Sequence, residues 1–305
     1  MLIQDQIPTQ EIQAEQLSDK EVRLFIRRLD QIHPLVSGNK FFKLKYNLIQ
    51  AKKEGKNTVL TFGGAFSNHI HAVAAAAREE GFRAIGVIRG EESSSLNPTL
   101  QFAKEKGMEL HFVERSVYRE KEQEEFLNGL KARFGDFYLI PEGGTNSLAV
   151  KGTAEILDKN DDMYSHITCS IGTGGTFIGL ASSIVSGQDL LGFSSLRGSF
   201  IHDEMRTKLS KEAVFPKGKL TVIDAYHFGG YGKFKPELIH FMKSFYGKFQ
   251  IPLDPVYTGK MMYGIFDLLQ KDFFPKGSKV LCLHTGGLQG VKGFNQRFAE
   301  DLPSR

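Results

Sequence analysis

Two cysteines in 305 residues, Cys169 and Cys282, are too few for a disulfide scaffold. Each stands inside an apolar run and reads as a core thiol, so a reducing, cytoplasmic compartment is expected. No stretch of 18 apolar residues occurs, and Met1 to Gln16 is Gln-rich and acidic where a secretory leader would be apolar. Neither a membrane span nor a leader is expected. An excess of one charge is missing too, because 39 Lys+Arg against 35 Asp+Glu leaves only +4. A field that weak, spread over this length, points away from nucleic acid and membrane as main partners. The spacings that hold catalytic metals, HExxH, CxxC and paired histidines, are absent, so no protein-bound metal is expected. No Walker A lysine follows a glycine-rich turn.

What is present is globular. Hydrophobic residues make up 41% and charged residues 24%, and the length suits two domains. Short β-branched and aromatic runs at 22–28, 58–62, 84–88, 109–113, 137–140, 166–171, 220–224 and 280–284 alternate with amphipathic segments. Helices are predicted over 41–54, 69–80, 98–106, 118–134, 177–185 and 260–269. Strand, helix, strand in repetition is the pattern of an α/β fold on parallel sheets. The rhythm breaks at Pro141-Glu142-Gly143-Gly144-Thr145-Asn146 and at Ser37-Gly38-Asn39, both read as crossovers. They mark off 48–147 as a smaller inserted α/β domain, with 1–47 and 148–305 joining into a larger one and ligands in the cleft between.

Several stations carry chemistry. Gly172-Thr173-Gly174-Gly175-Thr176 lies between a strand and a helix, where free amides and a helix N-terminus attract one phosphate. A dinucleotide fingerprint would want glycine at Phe177, so a single phosphate fits better. Gly63-Gly64-Ala65-Phe66-Ser67-Asn68-His69 repeats that geometry with polar residues at the helix start. It reads either as an N-cap or as a carboxylate site formed by the amides of 67–69. Lys40, at a helix start, is surrounded by Phe41, Phe42, Leu44 and Tyr46, and apolar surroundings favour the uncharged, nucleophilic amine. Asp254-Pro255-Val256-Tyr257-Thr258-Gly259 and His284-Thr285-Gly286-Gly287 place hydroxyls in loops.

These five stations, in this order, resemble the 1-aminocyclopropane-1-carboxylate deaminase/D-cysteine desulfhydrase family of pyridoxal-phosphate enzymes. The resemblance runs from about Arg27 to the C-terminus. It implies the two-domain type II fold of tryptophan synthase β, three layers built on parallel sheets, with the larger domain binding pyridoxal 5'-phosphate. It further implies that Lys40 carries the cofactor covalently, that Gly172, Thr173, Gly174, Gly175 and Thr176 bind its phosphate, and that Asn68 meets its 3-oxygen. Ser67, with the neighbouring amides of Asn68 and His69, would hold the carboxylate of a small amino-acid substrate. Tyr257 and Tyr231 match the family's active-site tyrosines, and a homodimer is implied. Ring-opening members carry Glu where Thr258 stands and an apolar residue where Thr285 stands. A hydroxyl at the ring nitrogen tilts the expectation toward D-cysteine-desulfhydrase-like α,β-elimination, giving a 2-oxo acid, ammonia and sulfide. Phe66 in place of a usual Gln and Ser37 in place of a usual Gly suggest an altered pocket. The alternatives are the cyclopropane deaminase, a β-replacing synthase or dehydratase of the same fold, and a non-catalytic binder of a phosphorylated ligand.

Overall fold

The computed structural model describes residue 4, residues 6–92 and residues 95–304. Its strands are β1 Thr9–Ile12, β2 Arg23–Arg27, β3 Thr58–Gly64, β4 Arg83–Arg89, β5 Met108–Val113, β6 Tyr138–Ile140, β7 His166–Ile171, β8 Asp189–Ser194, β9 Lys219–Ile223 and β10 Lys279–Leu283. The helices are α1 Glu15–Asp19, α2 Asn39–Lys53, α3 Asn68–Glu80, α4 Pro98–Glu105, α5 Arg115–Tyr118, α6 Glu124–Phe134, α7 Ser147–Ala154, α8 Gly175–Ser183, α9 Phe200–Lys211, α10 Pro236–Phe249, α11 Thr258–Gln270 and α12 Val291–Phe298.

Two sheets result. One orders its strands β1-β2-β10-β7-β8-β9 and the other β5-β4-β3-β6. β7 is buried at every position from His166 to Ile171, the polar His166, Thr168 and Ser170 included, because helices cover both faces of a parallel sheet. Every strand pairing is parallel except that of β1 with β2, so the larger sheet has an antiparallel edge the sequence pattern did not reveal. β10, the last strand in the chain, fills the middle of that sheet between β2 and β7. The smaller sheet draws all its strands from 58–140, and the larger draws its own from either side of that stretch.

One predicted helix is broken. Residues 118, 126, 130 and 134 fall on one apolar stripe, but position 122 is Glu, and the structure splits the segment into α5 and α6 there. Tyr118 stays buried, edge-on to Phe62 at 6.1 Å. Close stacking of α2, α7 and α8 matters most for the site. A side chain at Gly152 of α7 would come within 2.0 Å of the Phe42 carbonyl oxygen, so only glycine lets α7 lie against α2. Small residues also let α3 sit on its sheet, with Ala74, Ala75, Ala76 and Ala77 all buried.

Candidate active site

Lys40 occupies the first turn of α2, and that turn is anchored on two sides. Gly38 has φ +68°, and a Cβ on it would fall 2.0 Å from the Thr285 carbonyl oxygen. The Asn39 amide donates to that same carbonyl at 3.3 Å, and its side-chain Nδ2 donates to Thr176 Oγ1 at 2.8 Å. Asn39 therefore ties the start of α2 to the start of α8. Lys40 Nζ then points to the Gly143 carbonyl oxygen at 3.4 Å, and Lys43 Nζ, one turn on, donates to the same oxygen at 3.0 Å.

Burial moves both amines toward the uncharged form. It lowers Lys40 to about 8, and it lowers Lys43 well below the usual lysine value, helped by the charges of Lys40 and Lys208. At pH 7 a Lys40 amine of that basicity is free about one time in ten, against roughly one in three thousand for an ordinary lysine.

The 172–176 turn lies beside these amines. Gly174 takes φ +84° just before α8, a conformation that favours glycine. Lys43 Nζ donates to Thr173 Oγ1 at 3.3 Å and Thr145 Oγ1 at 3.1 Å, and the two hydroxyls are 2.6 Å apart. A Cβ at Gly175 would approach Thr145 Oγ1 to 2.9 Å and Lys43 Nζ to 3.1 Å, so the bare glycine keeps this corner open. An amine, two hydroxyls and a helix N-terminus around one corner make a donor set for one phosphate monoester. With a depressed amine sharing a carbonyl acceptor with Lys43, the residues fit pyridoxal phosphate, which needs one anion site and one nucleophilic nitrogen.

The 67–69 turn is partly spent on its own backbone. Ser67 is the N-cap of α3, its hydroxyl accepting from the amides of His69 at 3.2 Å and Ile70 at 3.3 Å. Its own amide donates to the Gly64 carbonyl. The capping reading thus accounts for the Ser67 hydroxyl, and of the three amides expected to face a carboxylate only that of Asn68 has no protein acceptor among the described residues. The Asn68 side-chain oxygen accepts from Gln289 Nε2, and the imidazole of His69 is buried, its Nε2 2.8 Å from Thr61 Oγ1. His69 is held by the sheet beneath it.

Tyr257 and Tyr231 meet, as their matched positions suggest, with ring centroids 6.0 Å apart at 67°. Tyr257 also lies against the phosphate turn, since a Cβ at Gly172 would come within 2.9 Å of its ring. Burial, and then neighbouring Tyr231, raises the Tyr257 phenol well above its ordinary value, so it stays protonated and can donate.

Thr258 and Thr285, expected at the cofactor ring, stand differently from one another. Thr258 is fully buried; its hydroxyl donates to Asp254 Oδ1 at 2.8 Å and accepts from the Asp254 amide at 2.8 Å. Its hydrogen-bonding capacity is used inside the loop. Thr285 offers its carbonyl to Asn39, and its hydroxyl has no partner among the described residues. We therefore expect Thr258→Val to lower stability by about 1 kcal/mol, the loss of a buried hydrogen bond, while leaving the absorption spectrum of bound cofactor unchanged. Thermal unfolding and a visible spectrum check both halves.

Three residues around the site, Lys43, Thr145 and Gln289, are not singled out by the sequence; Thr145 falls in the segment read as a crossover.

Residues 2–286 match the family of pyridoxal-phosphate-dependent enzymes, and the chain belongs to it. It is 34% identical to a putative 1-aminocyclopropane-1-carboxylate deaminase of Pyrococcus horikoshii, covering 88% of this chain and 85% of that one. It is 27% identical to a D-cysteine desulfhydrase of Klebsiella pneumoniae, covering 89% of each. Among solved structures, a homologue of 1-aminocyclopropane-1-carboxylate deaminase superposes with a TM-score of 0.83 at 29% identity, over 97% of this chain and 94% of that one. The protein is an enzyme, its fold is that of the type II pyridoxal-phosphate enzymes, and its cofactor is pyridoxal 5'-phosphate. No helix among the described residues is long and apolar enough to cross a membrane.

Proposed function

We propose that the enzyme is a lyase or deaminase of a small amino acid, releasing a 2-oxo acid and ammonia, and that D-cysteine, which also yields sulfide, suits it better than the cyclopropane substrate. The observation that carries the first half is the Lys40 amine, brought down to about 8 and set against the same carbonyl as Lys43 beside the 172–176 turn. Relatives of both names align over nearly the whole chain, so the choice of substrate rests on Thr258 and Thr285. Neither is a carboxylate.

When bound, pyridoxal phosphate supplies an electron-withdrawing ring that makes the substrate Cα–H acidic. Lys43 Nζ, Thr145 Oγ1, Thr173 Oγ1, Thr176 and the first amides of α8 would hold its phosphate, and Lys40 Nζ its aldehyde carbon. Lys40 Nζ, unprotonated, would take the substrate Cα proton, and the Tyr257 phenol, held protonated, would donate to the departing β substituent. The 2-aminoacrylate released from D-cysteine hydrolyses to pyruvate and ammonia. Asn68, with its free amide, remains the candidate for the substrate carboxylate, beside Ser67 and His69. The same reading takes the enzyme to be a cytoplasmic homodimer, and two buried thiols, each pushed up to about 12, agree with a reducing compartment.

The test is a panel of D- and L-amino acids with 1-aminocyclopropane-1-carboxylate, scored for 2-oxo acid. We expect pyruvate and sulfide from D-cysteine at kcat/KM at least tenfold above that for the cyclopropane. Release of 2-oxobutanoate from the cyclopropane as the better reaction would overturn the substrate choice, and incorporation of an added thiol in place of pyruvate release would make the enzyme a β-replacing synthase.

A further inference from the structure

Lys260 breaks a local rule. It lies in the first turn of α11, where the helix dipole disfavours a cation, and it is only 2% exposed. No carboxylate among the described residues forms an ion pair with it, though the Asp254 charge is near enough to act on it. Its Nζ donates instead to two backbone carbonyls, those of His227 and Gly230, each at 2.8 Å. A buried ammonium satisfied only by carbonyls is an expensive way to fill space that a methionine would fill more cheaply.

Those carbonyls belong to the loop that presents Tyr231. The loop is irregular, with φ of +52° at Phe228, +96° at Gly229, +116° at Gly230 and +66° at Gly232. Each carbonyl already closes one turn, His227 accepting from the Gly230 amide at 3.0 Å and Gly230 from the Lys233 amide at 3.1 Å. The second lone pair of each is turned to Lys260. One residue before the loop, Tyr226 donates to Asp267 Oδ2 of α11 at 2.5 Å. Beyond the ammonium, the ring of Tyr231, 51% exposed, stands edge-on to Tyr257 and shares a side-chain hydrogen bond with it.

Tyr257 is fixed by the same stretch of chain. Asp254 Oδ2 accepts from the amides of Val256 and Tyr257, both at 2.9 Å, and Asp254 Oδ1 from that of Thr258 at 2.8 Å. The start of α11 thus clamps one tyrosine through Asp254 and the other through Lys260. We propose that Lys260 is a positioning residue for the reaction, its ammonium folding the 227–230 backbone so that Tyr231 is presented to the substrate edge-on to Tyr257. This rests on the reading of Tyr231 as an active-site residue.

The experiment is a double-mutant cycle on the holoenzyme with Lys260→Met and Tyr231→Phe. We expect Lys260→Met to fold, to bind cofactor with an unchanged visible band, and to melt no lower than the wild type, while kcat/KM falls at least tenfold. Tyr231→Phe should fall comparably, and the double variant no further than the worse single one, because a misplaced tyrosine and a missing hydroxyl are one defect. A lysine with a purely structural role would instead lower the melting temperature and give losses that multiply. Wild-type turnover in Lys260→Met beside an impaired Tyr231→Phe overturns the inference and leaves the tyrosine's role standing. Wild-type turnover in Tyr231→Phe sinks that role, and the inference with it. If Lys260→Met does not fold, Lys260→Gln, whose amide can still donate to both carbonyls, must keep more than a third of wild-type kcat/KM, and a full loss there in a folded, cofactor-loaded protein counts against positioning.

Discussion

Lys40→Ala should give a folded protein that binds pyridoxal phosphate without the visible band of covalent attachment and turns over roughly 10²–10⁴-fold more slowly. The magnitude is that of losing a general base, with the loss of covalent capture added. Reduction of the wild-type holoenzyme with borohydride, followed by peptide mapping, should place the label on the peptide containing Lys40; a label on Lys43 would exchange their roles. The same residue leaves a mark on the cofactor-free protein. Its folded value, about 8, lies below the ordinary lysine value of 10.5, so below pH 8 the unfolded chain holds a proton that the folded chain binds less well. That penalty is present in full below pH 8 and is relieved as pH rises toward 10.5, so the cofactor-free wild type should gain stability across that window. Lys40→Ala removes this residue's share and leaves that of Lys260, also lowered to about 8.

Lys43→Met should weaken binding of pyridoxal phosphate about 10–100-fold, the worth of a charged hydrogen bond to phosphate, and leave binding of phosphate-free pyridoxal almost unchanged. The cofactor-free variant should be about as stable as the wild type, because the group removed is a buried amine that burial itself has made reluctant to charge. A phosphate dianion reverses that reluctance. Binding should therefore take up a proton at Lys43, and cofactor affinity should fall as pH rises in the wild type more steeply than in Lys43→Met. Calorimetry in two buffers of different ionisation enthalpy measures the uptake, and equal uptake in both proteins would show that the proton goes elsewhere.

The sequence announced the central apolar strands and the glycine-rich turns because both signals are local. Buried parallel strands such as β10 carry unbroken apolar runs, here Val280 to Leu283, and the turn at 172–176 has three glycines where an ordinary βα connection needs one. It hid what depends on distant partners. The edge strand β1 is a mixed Thr-Gln-Glu-Ile segment that becomes a strand only by pairing with β2. α10, with Pro236 at its start and an apolar face of Leu238, Ile239, Met242 and Phe245, is an element outside the predicted helices whose signal is local. In the site, Lys40 stands out by its apolar neighbours, whereas Lys43 is drawn into the corner by Thr145 and Thr173, which arrive from 102 and 130 residues away. Thr258 shows the opposite failure: its place in a motif suggested a ligand, and its hydroxyl is closed into the Asp254 loop.

The position of β10 has a consequence for how the enzyme is made. Because β10 is wedged between β2 and β7, a ribosome-bound chain holds β1 and β2 in waiting until residues 279–283 have emerged. The loop that carries Thr285 follows that strand directly, and the turn bearing Lys40 leans on it. A product truncated before β10 should be unable to load its coenzyme, which makes colour in a cell extract a report on synthesis past the Thr285 loop.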